Sequence, residues 1–150
     1  MTTMKVGMLV RRPPHDVFQS FVDPTVTTRF WFTNSSGPMV PGAVLRWDWA
    51  MYEVSTRVTV REVEEDRRIR FEWNDDQPTT VELLFVPWQD DTTYVRVTET
   101  GYTEEGEALV QRVADSTGGF TTVLCGLKAL LEHDVVLGVI EDHHPKGLKV

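Results

Sequence analysis

"GGFTTVLCGLKALLEHD", residues 118–134, is the stretch on which the reading of the whole chain turns. With the residues just before it, it sets Val113, Thr117, Phe120, Leu124, Leu127 and Leu131 at alternating steps of four and three, one stripe along a helix. The spacing predicts a helix that starts near Thr103 or Glu107 and ends near His133. Acidic Glu104, Glu105 and Glu107 suit the positive end of its dipole, and His133 suits the negative end. At 1.5 Å per residue such a helix is roughly 40 Å long, enough to cross a whole sheet. Gly118 and Gly119 interrupt it at about 1 kcal/mol each relative to alanine, so a close approach to the sheet or a kink is expected there.

Upstream of this helix the period is two. In "GAVLRWDWA" (42–50), Leu45, Trp47 and Trp49 share one face while Arg46 and Asp48 share the other. "YEVSTRVTVREV" (52–63) aligns Tyr52, Val54, Thr56, Val58 and Val60, and "RRIRFEW" (67–73) aligns Ile69, Phe71 and Trp73 against Arg68, Arg70 and Glu72. "TTVELLFVPW" (79–88) and "TTYVRVTET" (92–100) complete an antiparallel meander of about five strands. "MKVGMLV" (4–10) reads as a first strand, ended by Pro13 and Pro14. Two short helices follow: one in "PHDVFQSFV" (14–22), the other in "DPTVTTRFWF" (23–32), with Asp23 as N-cap and Pro24 at the first helical position. Phe30, Trp31 and Phe32 stand side by side at the end of the second, although a half-buried helix or strand points one of three neighbours at water. The last residues, from about 135, read as a polar tail.

At 150 residues the chain suits a single domain with one core. Fifteen basic against twenty-three acidic residues leave a net charge of −8, and no basic block concentrates positive potential. Nucleic acid and anionic membranes are therefore excluded as partners. The single Cys125 allows neither an intrachain disulfide nor a cysteine cluster; on its helix it reads as a packed small hydrophobe. "MTTMKVGMLVRR" lacks the apolar run of a signal peptide, so a cytoplasmic location is expected. Asn34 to Ser36 match N-x-S, a pattern without meaning in that compartment. No GxGxxG, P-loop, GxSxG or HExxH stretch occurs.

The order strand, two short helices, meander, long helix is that of the α+β helix-grip fold, a curved antiparallel sheet wrapped around a C-terminal helix. "DP" before a helix, "FWF" after it, "PGA" opening a strand, "REVEEDRRIRFEW", "TTYVRVTETGY" and "GGFTTVLCGLKALLEHD" together resemble the family named after the activator of Hsp90 ATPase. That family belongs to the START-like, Bet v 1-like group. The resemblance covers residues 4 to 134, departing where Gly119–Phe120 replaces the family's usual Gly-Trp. It implies a cavity between sheet and long helix, and with it three functions. The first is a carrier of a small hydrophobic or aromatic molecule. The second is an enzyme of the polyketide cyclase or dehydratase kind, with Glu99 as general base. The third is a co-chaperone stimulating an Hsp90-type ATPase through its surface. The leading expectation is the non-enzymatic binder.

The candidate ligand-binding residues are Trp31, Phe32, Trp47, Trp49, Phe71, Trp73, Glu99 and Phe120. Five tryptophans make an indole-rich sheet face bulkier than an aliphatic core requires. If Val95 and Val97 point inward, alternation carries Glu99 inward too, where an enclosed carboxylate can serve as acid, base or ligand anchor. Tyr52, Thr56 and Arg96 are secondary polar candidates. His15 reads as a surface residue at a helix start. His143 and His144, behind Glu141 and Asp142, match no ligand spacing; no metal and no cofactor is expected. An acidic chain of this kind also leaves room for a homodimer through apolar patches.

Overall fold

A computed structural model describes all 150 residues. Seven antiparallel strands form one curved sheet: β1 (Met4–Val10), β2 (Asn34–Ser35), β3 (Val44–Trp49), β4 (Val54–Glu64), β5 (Arg68–Trp73), β6 (Thr79–Trp88) and β7 (Thr92–Thr100). Their order is β1-β7-β6-β5-β4-β3-β2, so the first strand closes beside the last. Helices α1 (Pro14–Val22) and α2 (Pro24–Thr27) follow β1, α3 (Gly106–His133) crosses the sheet, and α4 (Val139–His143) is the last helix. This is the α+β helix-grip fold.

Alternation builds the sheet. Val58, Val60, Ile69, Phe71, Val81, Leu83, Phe85, Val95 and Val97 are all buried on the concave face. The residues between them form ion pairs on the convex face, among them Arg68 with Glu62 and Glu64, and Arg61 with Glu72. Exposed pairs of this kind contribute about 0–1 kcal/mol each, so the stability of the sheet comes from its inner face. One register shift, between Val60 and Glu62, adds a bulge to β4.

The second short helix departs from expectation. Asp23 does cap α2, accepting from the Thr25 N–H at 3.0 Å, but α2 is only four residues long and stops before "FWF". Phe30 and Trp31 N–H groups both reach back to the Thr27 carbonyl, and the Thr33 N–H then pairs with Asp48 to open β2, a short edge strand inside a stretch read as polar loop. Because 30–32 is an irregular crossing over the end of the sheet, it is buried on every side. Phe30 meets Phe21 edge-on at 5.3 Å, Trp31 meets Trp47 at 4.9 Å, and Phe32 stacks on Trp47 at 4.5 Å. All three adjacent aromatics therefore face inward.

Helix α3 is two helices in character. From Phe120 onward, Val123, Leu124, Gly126, Leu127 and Leu130 are buried, and this half lies on β1 and against the 30–32 crossing. Before Phe120 the expected stripe fails: Thr117 is exposed and returns its hydroxyl to the Val113 carbonyl, and Val113 is only half-buried. Cys125 is likewise exposed, since it lies on the outer side of the turn whose inner side carries Leu124 and Leu127. The close approach falls at Gly126, not at the paired glycines. A Cβ there would stand 3.1 Å from Val139 Cγ2 and 3.4 Å from the Phe30 carbonyl oxygen, whereas one at Gly119 would meet nothing within 4 Å.

Candidate functional site

Where the N-terminal half of α3 passes the sheet, its inner residues are short or polar, and the gap is not filled. A cleft of about 840 Å³ remains. Trp31, Trp49 and Trp73 wall it on the sheet side, Ser116, Gly119 and Phe120 on the helix side, and Asn74, Gln77, Gln111 and Arg112 form its polar rim. Its inner end is closed by interlocking rings, with Phe120 5.7 Å from Trp31 and 5.6 Å from Trp73. The hollow therefore lies beside the aromatic cluster and not over it. Asn74, in the left-handed region at φ 68°, turns the chain away directly after Trp73, its N–H donating to the Thr56 hydroxyl at 3.0 Å.

Glu99 stands at the floor of this cleft, 3% exposed. One carboxylate oxygen accepts from the Trp73 indole N–H at 2.9 Å and from the Thr79 hydroxyl. The other accepts from the Tyr102 hydroxyl at 2.7 Å and from the Ser116 hydroxyl. The four donors come from β5, β6, the loop after β7, and α3, so one side chain ties all of them together. Burial pushes the Tyr102 phenol up. The neighbouring Glu99 carboxylate pushes the same way, while the Ser116 hydroxyl and Arg112 act in the opposite sense. Arg112 lies 5.5 Å from the centre of the Tyr102 ring, pairs with Glu104, and donates to the Gln77 carbonyl at 2.8 Å, a second tie between α3 and the β5–β6 turn.

The family model described as activator of Hsp90 ATPase homolog 1-like protein matches residues 11–132. The chain belongs to this family. No curated protein matches it. Among solved structures it is similar to protein SSP2350 from Staphylococcus saprophyticus, at 26% identity and a TM-score of 0.79, over 91% of this chain and 96% of that one. It is similar also to DynU16 of the dynemicin biosynthetic locus, at 21% identity and a TM-score of 0.79, over 89% of this chain but 48% of DynU16. A third likeness is to Aha1 from Colwellia psychrerythraea, solved in solution as a dimer, at 16% identity and a TM-score of 0.76, over 89% and 98% of the two chains. What these likenesses share is the fold. No helix of the chain is long and apolar enough to cross a membrane.

Within this member of the activator-like family, the eight candidate residues divide by depth. Trp31, Trp49, Trp73, Glu99 and Phe120 line the cleft. Phe32, Trp47 and Phe71 do not: Trp47 and Phe71 are fully enclosed, and Phe32 lies flat on Trp47, so these three support the wall from behind. Of the secondary candidates, Tyr52 lines the cleft from a 3₁₀ turn, Thr56 is buried beside it, and Arg96 points out from the convex face. His15 is exposed, as its place at a helix start suggests, and pairs with Asp66 at 2.7 Å. Tyr102, Ser116, Thr79 and Arg112 escape a reading of the sequence. A single hydroxyl carries no periodic signal: Tyr102, Ser116 and Thr79 are marked only by their convergence on Glu99, and Arg112 only by its bonds to Glu104 and Gln77.

The polar tail is the largest correction. Residues 139–143 fold back as α4 along the outer part of the cleft. The Tyr52 hydroxyl, within reach of both the Ile140 carbonyl (2.9 Å) and the His144 carbonyl (2.8 Å), anchors it, and Val139 packs on Gly126. His143 and His144 thereby line the cleft.

Glu99→Gln keeps the shape but puts an amide NH2, which cannot accept, in place of one carboxylate oxygen, so two of the four donors lose their acceptor; it is expected to cost about 1–3 kcal/mol in denaturant unfolding. Glu99→Leu takes the carboxylate from all four donors, three hydroxyls and the Trp73 indole N–H, and is expected to cost roughly 2–4 kcal/mol. Equal or greater stability of the leucine variant would contradict the tie. The pH dependence follows from Tyr102. Its phenol is held above the value of about 10 found in an unfolded chain, so above that pH the unfolded state releases its proton first and stability falls as pH rises. Unfolding curves on the alkaline side should show this loss, and Tyr102→Phe should make it shallower.

Proposed function

We propose that the protein binds a small, largely apolar and flat molecule in the cleft between the sheet and the N-terminal half of α3. The observation that carries this reading is a cleft of about 840 Å³ walled by Trp31, Trp49, Trp73 and Phe120, a volume within the range of small-molecule sites. A guest that buries roughly 250 Å² of apolar surface there gains about 6 kcal/mol before the cost of association. Aromatic walls favour a planar guest, and the amides of Asn74, Gln77 and Gln111 offer hydrogen bonds at the rim. Glu99 contributes by holding Trp73, Tyr102 and Ser116 in place.

Two other activities belong to this group of folds, and the cleft weighs against both as the primary role. A cyclase-type reaction with Glu99 as general base needs a free lone pair on that carboxylate, and four donors occupy it. A co-chaperone acting through its surface on an Hsp90-type ATPase has no need of an unfilled interior.

The test is a titration with N-phenyl-1-naphthylamine, a neutral apolar probe, followed by quenching of tryptophan emission. The wild-type protein is expected to bind it. Gly119→Phe, whose new ring enters open space, is expected to weaken binding at least tenfold while leaving the melting temperature within a few degrees. Absence of binding by the wild type, or unchanged affinity in Gly119→Phe, would overturn the reading.

A further inference from the structure

Residues 133–150 lie outside the part of the chain that matches the family, yet α4 builds one side of the cleft. One of its histidines, His143, is tied to α3 by a hydrogen bond whose direction follows from its neighbours. The Thr122 hydroxyl donates its single proton to the Gly118 carbonyl at 2.8 Å, the usual back-bond of a threonine in a helix. Thr122 Oγ1 also lies 3.0 Å from His143 Nδ1, and with its proton committed it can only accept there. With the Thr122 proton on the Gly118 carbonyl, the pairing calls for the hydrogen on Nδ1 of His143. In the neutral imidazole that leaves the Nε2 lone pair bare.

The carboxylates lining the cleft are engaged, which leaves the neutral acceptors: the rim amides of Asn74 and Gln111 and the rings of His143 and His144. Glu99 is taken by four donors, Glu104 by Arg112, and Asp115 by the Gln111 amide at 2.8 Å. Arg112, fully a donor, is held by Gln77 and Glu104. The His144 ring stacks on His143 with centroids 4.4 Å apart.

We infer that His143 Nε2 is the acceptor that selects the guest: an aromatic molecule bearing a hydroxyl or N–H, its ring on the tryptophan wall and its donor on Nε2. This rests on the cleft being a binding site, and the experiment separates the two claims.

Calorimetric titrations at about pH 8, where an ordinary histidine is neutral, compare 2-naphthol with 2-methoxynaphthalene, which has the same rings and no donor. Wild type is expected to prefer 2-naphthol by about fivefold or more, the worth of one hydrogen bond. His143→Ala should abolish the preference by weakening 2-naphthol alone, and His144→Ala should retain it. If wild type binds both compounds equally, or if the preference survives in His143→Ala, the selecting role fails while the cleft reading stands. Binding of neither compound would overturn the cleft reading and this inference with it. Independently of any variant, two-bond ¹H–¹⁵N spectra of the wild type should show His143 protonated on Nδ1; a proton on Nε2 would refute the assignment.

Discussion

Glu99 stands where the paired strands β5, β6 and β7 face the long helix, and its carboxylate accepts from side chains on β5, on β6, just after β7 and on α3. Taking a carboxylate out of water costs several kcal/mol, while each hydrogen bond to it returns about 1.5–3 kcal/mol, so four donors roughly offset the burial. The net contribution to stability is modest. What the arrangement supplies is position: Trp73 is turned into the cleft, Tyr102 is drawn beneath it, and Ser116 holds α3 at a set distance from the sheet.

The cleft is a consequence of that spacing. Past Phe120 the helix is packed by buried apolar side chains, Val123, Leu124, Leu127 and Leu130 among them, and lies on β1. Ahead of Phe120 only the half-buried Val113 packs on the core, and the other contacts are polar, namely Ser116 to Glu99 and Arg112 to Gln77 and Glu104. A helix attached at points along one half and packed along the other leaves a wedge, and the wedge is floored by Glu99 and walled by indoles. The glycine at 119 keeps it open, because a side chain there would project into it.

Much of this was legible in the sequence because it is periodic. The two-residue alternation marked the five strands of the meander, the steps of three and four marked α3 to within a few residues, and alternation from Val95 and Val97 carried Glu99 inward. Alternation reports the face of a sheet and not depth along it, so Phe32, Trp47 and Phe71 could not be told from Trp49 and Trp73, although only the latter two reach the cleft. The end of α2 was hidden because an irregular crossing can bury three consecutive rings, which neither regular period allows. The docking of α4 depends on a hydroxyl at Tyr52 reaching carbonyls at Ile140 and His144, far along the chain, and nothing local in a polar segment announces such a partner.

The central claim is that the N-terminal half of α3 is held more by its polar ties, the one from Ser116 to Glu99 above all, than by the packing of Val113. Amide hydrogen exchange in wild type and Ser116→Ala tests this most directly. The account predicts faster exchange across residues 110–117 in the variant, with residues 123–131 unchanged. Equal protection of both segments in the two proteins would contradict it, since the helix would then be held by its apolar contacts alone.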